Sequence, residues 1–289
     1  MTGYDTAFLD VDVPLPSPRD GRALRRLDHL HFTVLLDPRR RLAAATGVGI
    51  DGAALQPLPR TGGWRLDPLA HPAEQAGPEL YHRNGLDRGH LVRRRDPMWG
   101  TTAQARSAGE ATFVYSNAAP QVGRFNQSKD LWNGLEDHVL TYAQAYRRRV
   151  AVFTGPVLAA DDPVYRGIGI PRRFWKVAAW AVARWSVPSD GGPIREEVGL
   201  AAAAFVLDQS PLLTGVALAR AQAQALETDD APPLGPFRTF QVPVAEVEAI
   251  AGLDLGALPA ADVRAPGGVT PSGAAAWTEL TGPGDVRLE

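Results

Sequence analysis

The sequence predicts an α+β fold in which a central, mostly antiparallel sheet is flanked by helices. Three observations predict it. Apolar runs at Val150 to Thr154, Phe174 to Val182 and Val198 to Leu207 have strand length and can pair into a sheet. Leu30 to Leu36 and Leu42 to Ile50 flank the turn Asp37-Pro38 and read as a hairpin. Leu131, Leu135, Val139, Tyr142 and Tyr146 recur at helical spacing behind Ser128, a residue that can cap a helix.

The elements follow in order. Residues 1–27 are rich in Pro and Asp and are expected to form an extended arm with a short basic segment, Arg22 to Arg26. Residues 28–256 are expected to form the main domain. Within it Asp51 to Gly63 is a loop, Trp64-Arg65-Leu66 a short element, and Pro68, Pro72 and Pro78 mark a second loop. Leu86 to Val92 reads as extended and Arg93 to Glu110 as irregular or partly helical. Ala111 to Tyr115 is expected as a strand and Ala118 to Gln127, with Pro120 and Gly123, as a loop. Gln209 to Asp230 is alanine-rich and is expected to hold a short helix. Val244 to Ala251 reads as a helix stopped by Gly252. Residues 257–289 are a tail rich in Pro, Gly and Ala, expected to wrap loosely or to be partly disordered. No internal repeat is found.

Composition narrows the function classes. A chain of 289 residues with 45% hydrophobic and 21% charged residues is ordinary for a globular protein with a substantial core. The absence of cysteine excludes disulfides, thiolate zinc sites and cysteine nucleophiles. The longest apolar run, Val198 to Leu207, is too short to cross a bilayer. The first residues carry Asp5, Asp10 and Asp12 and lack the basic and apolar regions of a signal peptide. The expectation is a cytoplasmic protein, or one exported by another route. The formal net charge of -2 does not mark a nucleic-acid binder, but charge placement is uneven. Arg83, Arg88, Arg93, Arg94, Arg95 and Arg106 crowd one stretch, while Glu227, Asp229 and Asp230 fall far from it.

That stretch holds the chemistry. In Asp87-Arg88-Gly89-His90, glycine is expected to let the backbone bend tightly between the polar residues. Histidine is suited to take a proton from water near neutral pH, and arginine to clamp a phosphate through its planar fork. Downstream asparagines, Asn117 and Asn126, offer neutral oxygens that a hard cation accepts. These are the parts of a metal-assisted phosphodiesterase. A serine hydrolase built on Ser116, His90 and Asp87 would lack a Gly-x-Ser-x-Gly elbow, and a zinc peptidase its His-Glu-x-x-His helix.

Asp87-Arg88-Gly89-His90, Ser116-Asn117-Ala118-Ala119-Pro120-Gln121, Asn126-Gln127 and Trp132-Asn133-Gly134-Leu135-Glu136 resemble the signature of the DNA/RNA non-specific endonucleases. The likeness continues weakly through Pro171 to Val177, Phe240 to Val244 and Ile250 to Leu253. It implies a ββα-metal nuclease core, with His90 on the first strand and Asn126 at the start of the helix. The resemblance makes His90 the general base and Asn126 the one direct protein ligand of Mg²⁺, with Mn²⁺ as a substitute. Glu136 would hold the ion's water shell from the helix, although the segment between Asn126 and Trp132 is longer than the family pattern. Arg88 would stabilise the transition state and Asp87 would anchor the loop. Asn117 would either support the site by hydrogen bonding near His90 or only form a turn. Arg88, Arg93 and Arg94 are the candidate nucleic-acid contacts, with a solvated charge run as the other reading of Arg93 to Arg95. A further family arginine upstream aligns with Gly62; Arg60 and Arg65 are the candidates to replace it, and the sequence does not choose between them or assign either.

The implied function is a sugar-non-specific endonuclease that cuts DNA and RNA and leaves 5′-phosphate ends. The alternative is a catalytically impaired nucleic-acid-binding protein of the same fold, which would need the loss of His90 or Asn126. No membrane partner is expected. A homodimer and an inhibitor or immunity protein are left open.

Overall fold

Strands that are apolar on both faces need cover on both sides, and this requirement organises the molecule. The computed structural model describes residues 2–122, 143–144, 146–186, 194–213, 238–264 and 277–288. In chain order the strands are β1 (Ser17–Pro18), β2 (Arg25–His29), β3 (Phe32–Asp37), β4 (Leu42–Asp51), β5 (Leu86–His90), β6 (Ala118–Val122) and β7 (Arg149–Pro156). They continue with β8 (Val164–Tyr165), β9 (Ile168–Gly169), β10 (Arg173–Ser186), β11 (Arg195–Asp208), β12 (Arg238–Val242), β13 (Leu253–Asp254) and β14 (Thr278–Leu280). Helices whose full extent falls within the described residues are α1 (Pro78–Tyr81), α2 (Thr102–Ala111) and α3 (Val244–Ala251).

One antiparallel sheet of eight strands, in the order β14-β12-β11-β10-β7-β4-β3-β2, forms the centre. The β10–β11 hairpin is its longest pairing, from Arg173↔Asp208 to Ser186↔Arg195. These strands outrun the apolar runs that predict them. Arg184, Glu196 and Glu197 continue the ladder into solvent, where no apolar pattern marks it.

Each face of the sheet has its own core. Trp175, Val177, Ala179, Ala202, Ala204 and Val206 pack against Tyr4, Phe8, Leu9 and Val13 and against Val244 and Val247 of α3. Phe174, Ala178, Trp180, Ala203, Phe205 and Leu207 point the other way, toward Leu86, Leu91, Val92 and Tyr115. The segment expected as an extended arm therefore covers a sheet face. Gly47 and Gly49 of β4 leave the room it occupies: a Cβ on Gly47 would lie 2.6 Å from Leu15, and one on Gly49 3.0 Å from Phe8. Pairing of β1 with β13 and a 2.9 Å bond from the Tyr4 amide to Thr33 fix the segment in register.

Several expectations change. Ala111 to Tyr115 is not a strand. Helix α2 starts at a capping box made by Thr101 and Gln104 and runs through Ala111, and Tyr115–Asn117 form a 3₁₀ turn. Phe113, Val114 and Tyr115 are apolar because they are buried, not because they alternate in a sheet. Ala118 to Val122 is a strand instead of a loop, with Pro120 opposite Arg88 in a two-stranded ladder. A proline is tolerated there because each strand of a two-stranded ladder has a free edge. The C-terminal tail contributes β14, which pairs with β12 at the sheet edge. Helix α3 matches the expectation, with Gly252 closing it at φ 64° in the left-handed region. After Gln209 a short 3₁₀ turn spans Ser210–Leu212. The helix expected after Ser128 lies outside the described residues. Among the described residues no helix is long and apolar enough to cross a membrane.

Candidate active site

The β5–β6 ladder carries Asp87-Arg88-Gly89-His90, with His90 opposite Ala118 and Gly89 opposite Ala119. Leu86 anchors it in the core, while Arg88 is exposed and His90 half-buried. Gly89 sits within this strand and not in a tight bend. What its position demands is space, because a Cβ there would fall 2.1 Å from Cδ of Gln121. Gln121 is itself buried under the motif.

The strand pair is pinned on both sides. Gln209, fully buried, accepts the Val122 amide at 3.0 Å and donates to the Pro171 carbonyl at 2.6 Å, tying β6 to the start of β10. Asn117, just before β6, accepts the Val92 amide at 2.9 Å and donates to the carbonyls of Val92 at 2.9 Å and Thr112 at 3.0 Å. Its own carbonyl takes the Leu91 amide at 3.0 Å. Asn117 therefore locks the chain that leaves His90.

Ser116 beside it donates to Asp67, which also bonds His29 Nε2 at 3.0 Å. Burial alone would raise the Asp67 carboxyl. Donation from His29, Ser116 and the Leu69 amide outweighs it and holds the group below the usual carboxylate range. Gln75 bonds the Asp67 amide at 2.7 Å and its carbonyl at 3.0 Å. Ser116 is thus committed to Asp67, and a nucleophilic serine is not assembled here.

His90 differs from Asn117, Gln209 and Ser116. Its ring lies 4.5 Å from that of Trp64 and 5.0 Å, edge to face, from Phe113. Its Nε2 is buried and has no hydrogen-bond partner among the described residues. Burial is the largest influence on its proton affinity, followed by the charges of Arg60, Arg93, Arg94 and Arg88, and together they push its pKa down to about 3. The imidazole of the free protein is therefore neutral at pH 7.

The arginines divide into two kinds. Arg88 places its guanidinium carbon 5.7 Å from the centre of the Trp64 ring, and Arg60 lies 4.9 Å over Phe113. Arg94 donates to the carbonyls of Leu58 at 3.1 Å and Pro59 at 3.2 Å, so it also holds the loop that carries Arg60. Arg93 is half-buried, and its amide bonds Asp96 at 3.2 Å. Of the upstream candidates, Arg60 is the one whose charge acts on His90. Arg65 turns to the Glu110 carbonyl at 3.3 Å, and Gly62 has φ +87°.

Asn126 and Glu136 lie outside the described residues. Among the described residues no group of three or more His, Asp or Glu is arranged to hold a metal ion. Trp64, Asp67 and Gln209 were not singled out from the sequence as site residues, and Gln121 was quoted only as part of a motif. They stand far from the motif in the chain or carry no pattern of their own, and only the fold brings them to it.

Comparison with known proteins fits this geometry. The family model for DNA/RNA non-specific endonuclease matches residues 18–262. An uncharacterized protein of Sinorhizobium fredii, y4fB, is 42% identical over 198 residues, which are 61% of this chain and 30% of that protein. Human mitochondrial endonuclease G is 32% identical over 126 residues, 39% of this chain and 40% of its own length. The chain thus spans well under half the length of these relatives. A crystal structure of an EndoG/EndoGI complex superposes with a TM-score of 0.54 at 21% identity, covering 83% of this chain and 92% of that one. The chain belongs to the DNA/RNA non-specific endonuclease family.

Proposed function

We propose that this chain is a metal-dependent endonuclease that hydrolyses phosphodiester bonds of DNA and RNA, with His90 as the general base. The observation that carries the proposal is the buried Nε2 of His90, unbonded among the described residues, inside a shell of four arginine charges. A neutral imidazole with a free nitrogen can accept a proton, and the guanidinium charges favour a phosphate diester beside it.

Nε2 takes a proton from water as the water oxygen bonds to phosphorus. The P–O3′ bond then breaks and the departing O3′ takes a proton from a solvent water, leaving a 5′-phosphate and a 3′-hydroxyl, while Nε2 returns its proton to solvent. Arg88 and Arg60 offer N–H donors to the non-bridging oxygens as charge builds on them. A pKa near 3 makes His90 a weak base in the free protein. Burial depresses it most and the arginine charges add to that; bound phosphate would neutralise those charges and so restore part of the basicity the reaction needs.

Asn126 would hold a magnesium or manganese ion, and Glu136 its water shell. The fit rests on the character of the described site. Its charge near His90 comes from arginines, with no carboxylate cluster among the described residues to hold two ions. A lone Mg²⁺ keeps most of its waters and needs few protein oxygens. When bound, the ion would neutralise the scissile phosphate and the departing oxygen.

Arg88, Arg93 and Arg94 are the proposed backbone contacts. Binding through them would be insensitive to sequence and would weaken with salt, by a slope of roughly −0.9 per phosphate on duplex DNA. The similar solved structure holds an endonuclease G with EndoGI, and an inhibitor protein of this chain is proposed on that likeness.

The test is incubation of the purified protein with plasmid and with RNA, with and without EDTA, followed by mapping of cut sites. Cleavage of both substrates at unrelated sequences, stopped by EDTA, is expected. EDTA-resistant cleavage would overturn the metal assignment, and binding without cleavage would leave only the nucleic-acid-binding reading.

A further inference from the structure

Trp64 stands where the proposed base and the proposed phosphate clamp meet. Its ring centre lies 4.5 Å from that of His90, tilted by 44°, and 5.7 Å from the guanidinium carbon of Arg88. Phe113 at 5.6 Å and Tyr115 at 5.9 Å pack around it. The next residue is bridged to the chain entering the 3₁₀ turn before β6: the Arg65 amide bonds the Phe113 carbonyl at 3.1 Å, and the Tyr115 amide bonds the Arg65 carbonyl at 3.0 Å. Asp67, two residues further on, is held by Ser116 and Gln75. The indole is therefore fixed to the frame and not carried on a free loop.

An aromatic face has a property no polar partner shares here. It attracts a guanidinium through its quadrupole without using any of the five N–H donors. A carboxylate in the same place would take up two of those donors and cancel the charge. Against His90 the ring likewise offers contact and orientation without bonding Nε2, which is unbonded among the described residues.

We propose that Trp64 is a positioning residue that sets Arg88 and His90 relative to each other while keeping both chemically available. The inference rests on the nuclease reading above. It concerns the aromatic face of residue 64 and not merely its bulk.

The experiment compares Trp64→Phe with Trp64→Leu, using wild-type protein and His90→Ala as references. Both substitutions are apolar, and the phenyl ring keeps a π face that leucine lacks. Initial rates on plasmid are measured across substrate concentrations, with thermal melts of each variant. The phenylalanine variant should keep kcat within about twofold of wild type. The leucine variant should lose roughly fivefold in kcat, the upper end for a cation–π contact at an exposed site, with KM little changed. Equal kcat in the two variants would show that residue 64 only fills space, and would overturn the proposal while leaving the nuclease reading intact. A raised KM at unchanged kcat in the leucine variant would also overturn it, placing Trp64 in contact with substrate instead. Absence of cleavage by wild type itself would remove the nuclease reading on which the inference stands.

Discussion

Asn117 and His90 sit at the same end of one two-stranded ladder, and they are treated in opposite ways. The amide of Asn117 is fully enclosed and bonded at its oxygen and at its nitrogen, to Val92 and Thr112. The imidazole of His90 is packed by aromatic rings, yet its buried Nε2 bonds nothing among the described residues. Leaving a buried polar atom unpaired costs about 1–3 kcal/mol, so native proteins rarely keep one without a use. On the proposed reading the saturated residue is the frame and the unsaturated one is the tool.

The sharpest way to break the contrast is His90→Ala. Cleavage should fall by about 10²- to 10⁴-fold, while the thermal midpoint stays level or rises because an unbonded buried nitrogen has gone. Plasmid-cleavage rates and a melt on the same sample check both halves. Wild-type turnover in the variant would remove His90 from the chemistry.

Asn117→Ala should behave in the reverse sense. It strips partners from the buried amide and carbonyl of Val92 and the carbonyl of Thr112. A loss of about 3 kcal/mol in urea unfolding is expected. Activity should fall because the strand that carries His90 shifts, and it should not be restored by a higher concentration of substrate. A stability change below about 0.5 kcal/mol would show that Asn117 is not the frame.

The smallest effect is in pH. His90 has its proton affinity lowered on folding, first by burial and then by the arginines. Below an unfolded pKa of about 6.5 the unfolded chain binds this proton and the folded one does not. Stability should therefore drain away as pH falls from about 6.5 toward 3. The difference in unfolding free energy between wild type and His90→Ala isolates this contribution, because the other titrating groups are shared. Wild type should lose ground to the variant as pH is lowered from 7 to about 4.5. An unchanging difference would mean that His90 is as solvated folded as unfolded.

Much of the frame was legible in the sequence because burial leaves an alternating or continuous apolar record. Val150 to Thr154, Phe174 to Val182 and Val198 to Leu207 all lie within central strands. Helix α3 and its glycine stop were readable for the same local reasons. Ala118 to Val122 was not, because Pro120 signals a loop and only the partner strand β5 makes it acceptable. His90 and Arg88 were found through their neighbours in the chain. Trp64, Asp67 and Gln209 reach the site across long stretches of sequence, and nothing local advertises that. Gly89 was found for the wrong reason: the constraint is the side chain of Gln121, which no local pattern predicts.

The two glycines of β4 carry a consequence for how this protein can be trimmed. Gly47 and Gly49 form a socket whose plugs, Leu15 and Phe8, come from the first residues of the chain. The family match begins at residue 18, after both plugs. A chain cut back to the matched span would keep its motif and lose the cover over one side of its sheet. Leu35, Ala45 and Phe153 would then face water as a contiguous sticky surface. The smallest self-sufficient unit is therefore larger than the stretch that sequence likeness delineates, and the leading residues act as its stopper.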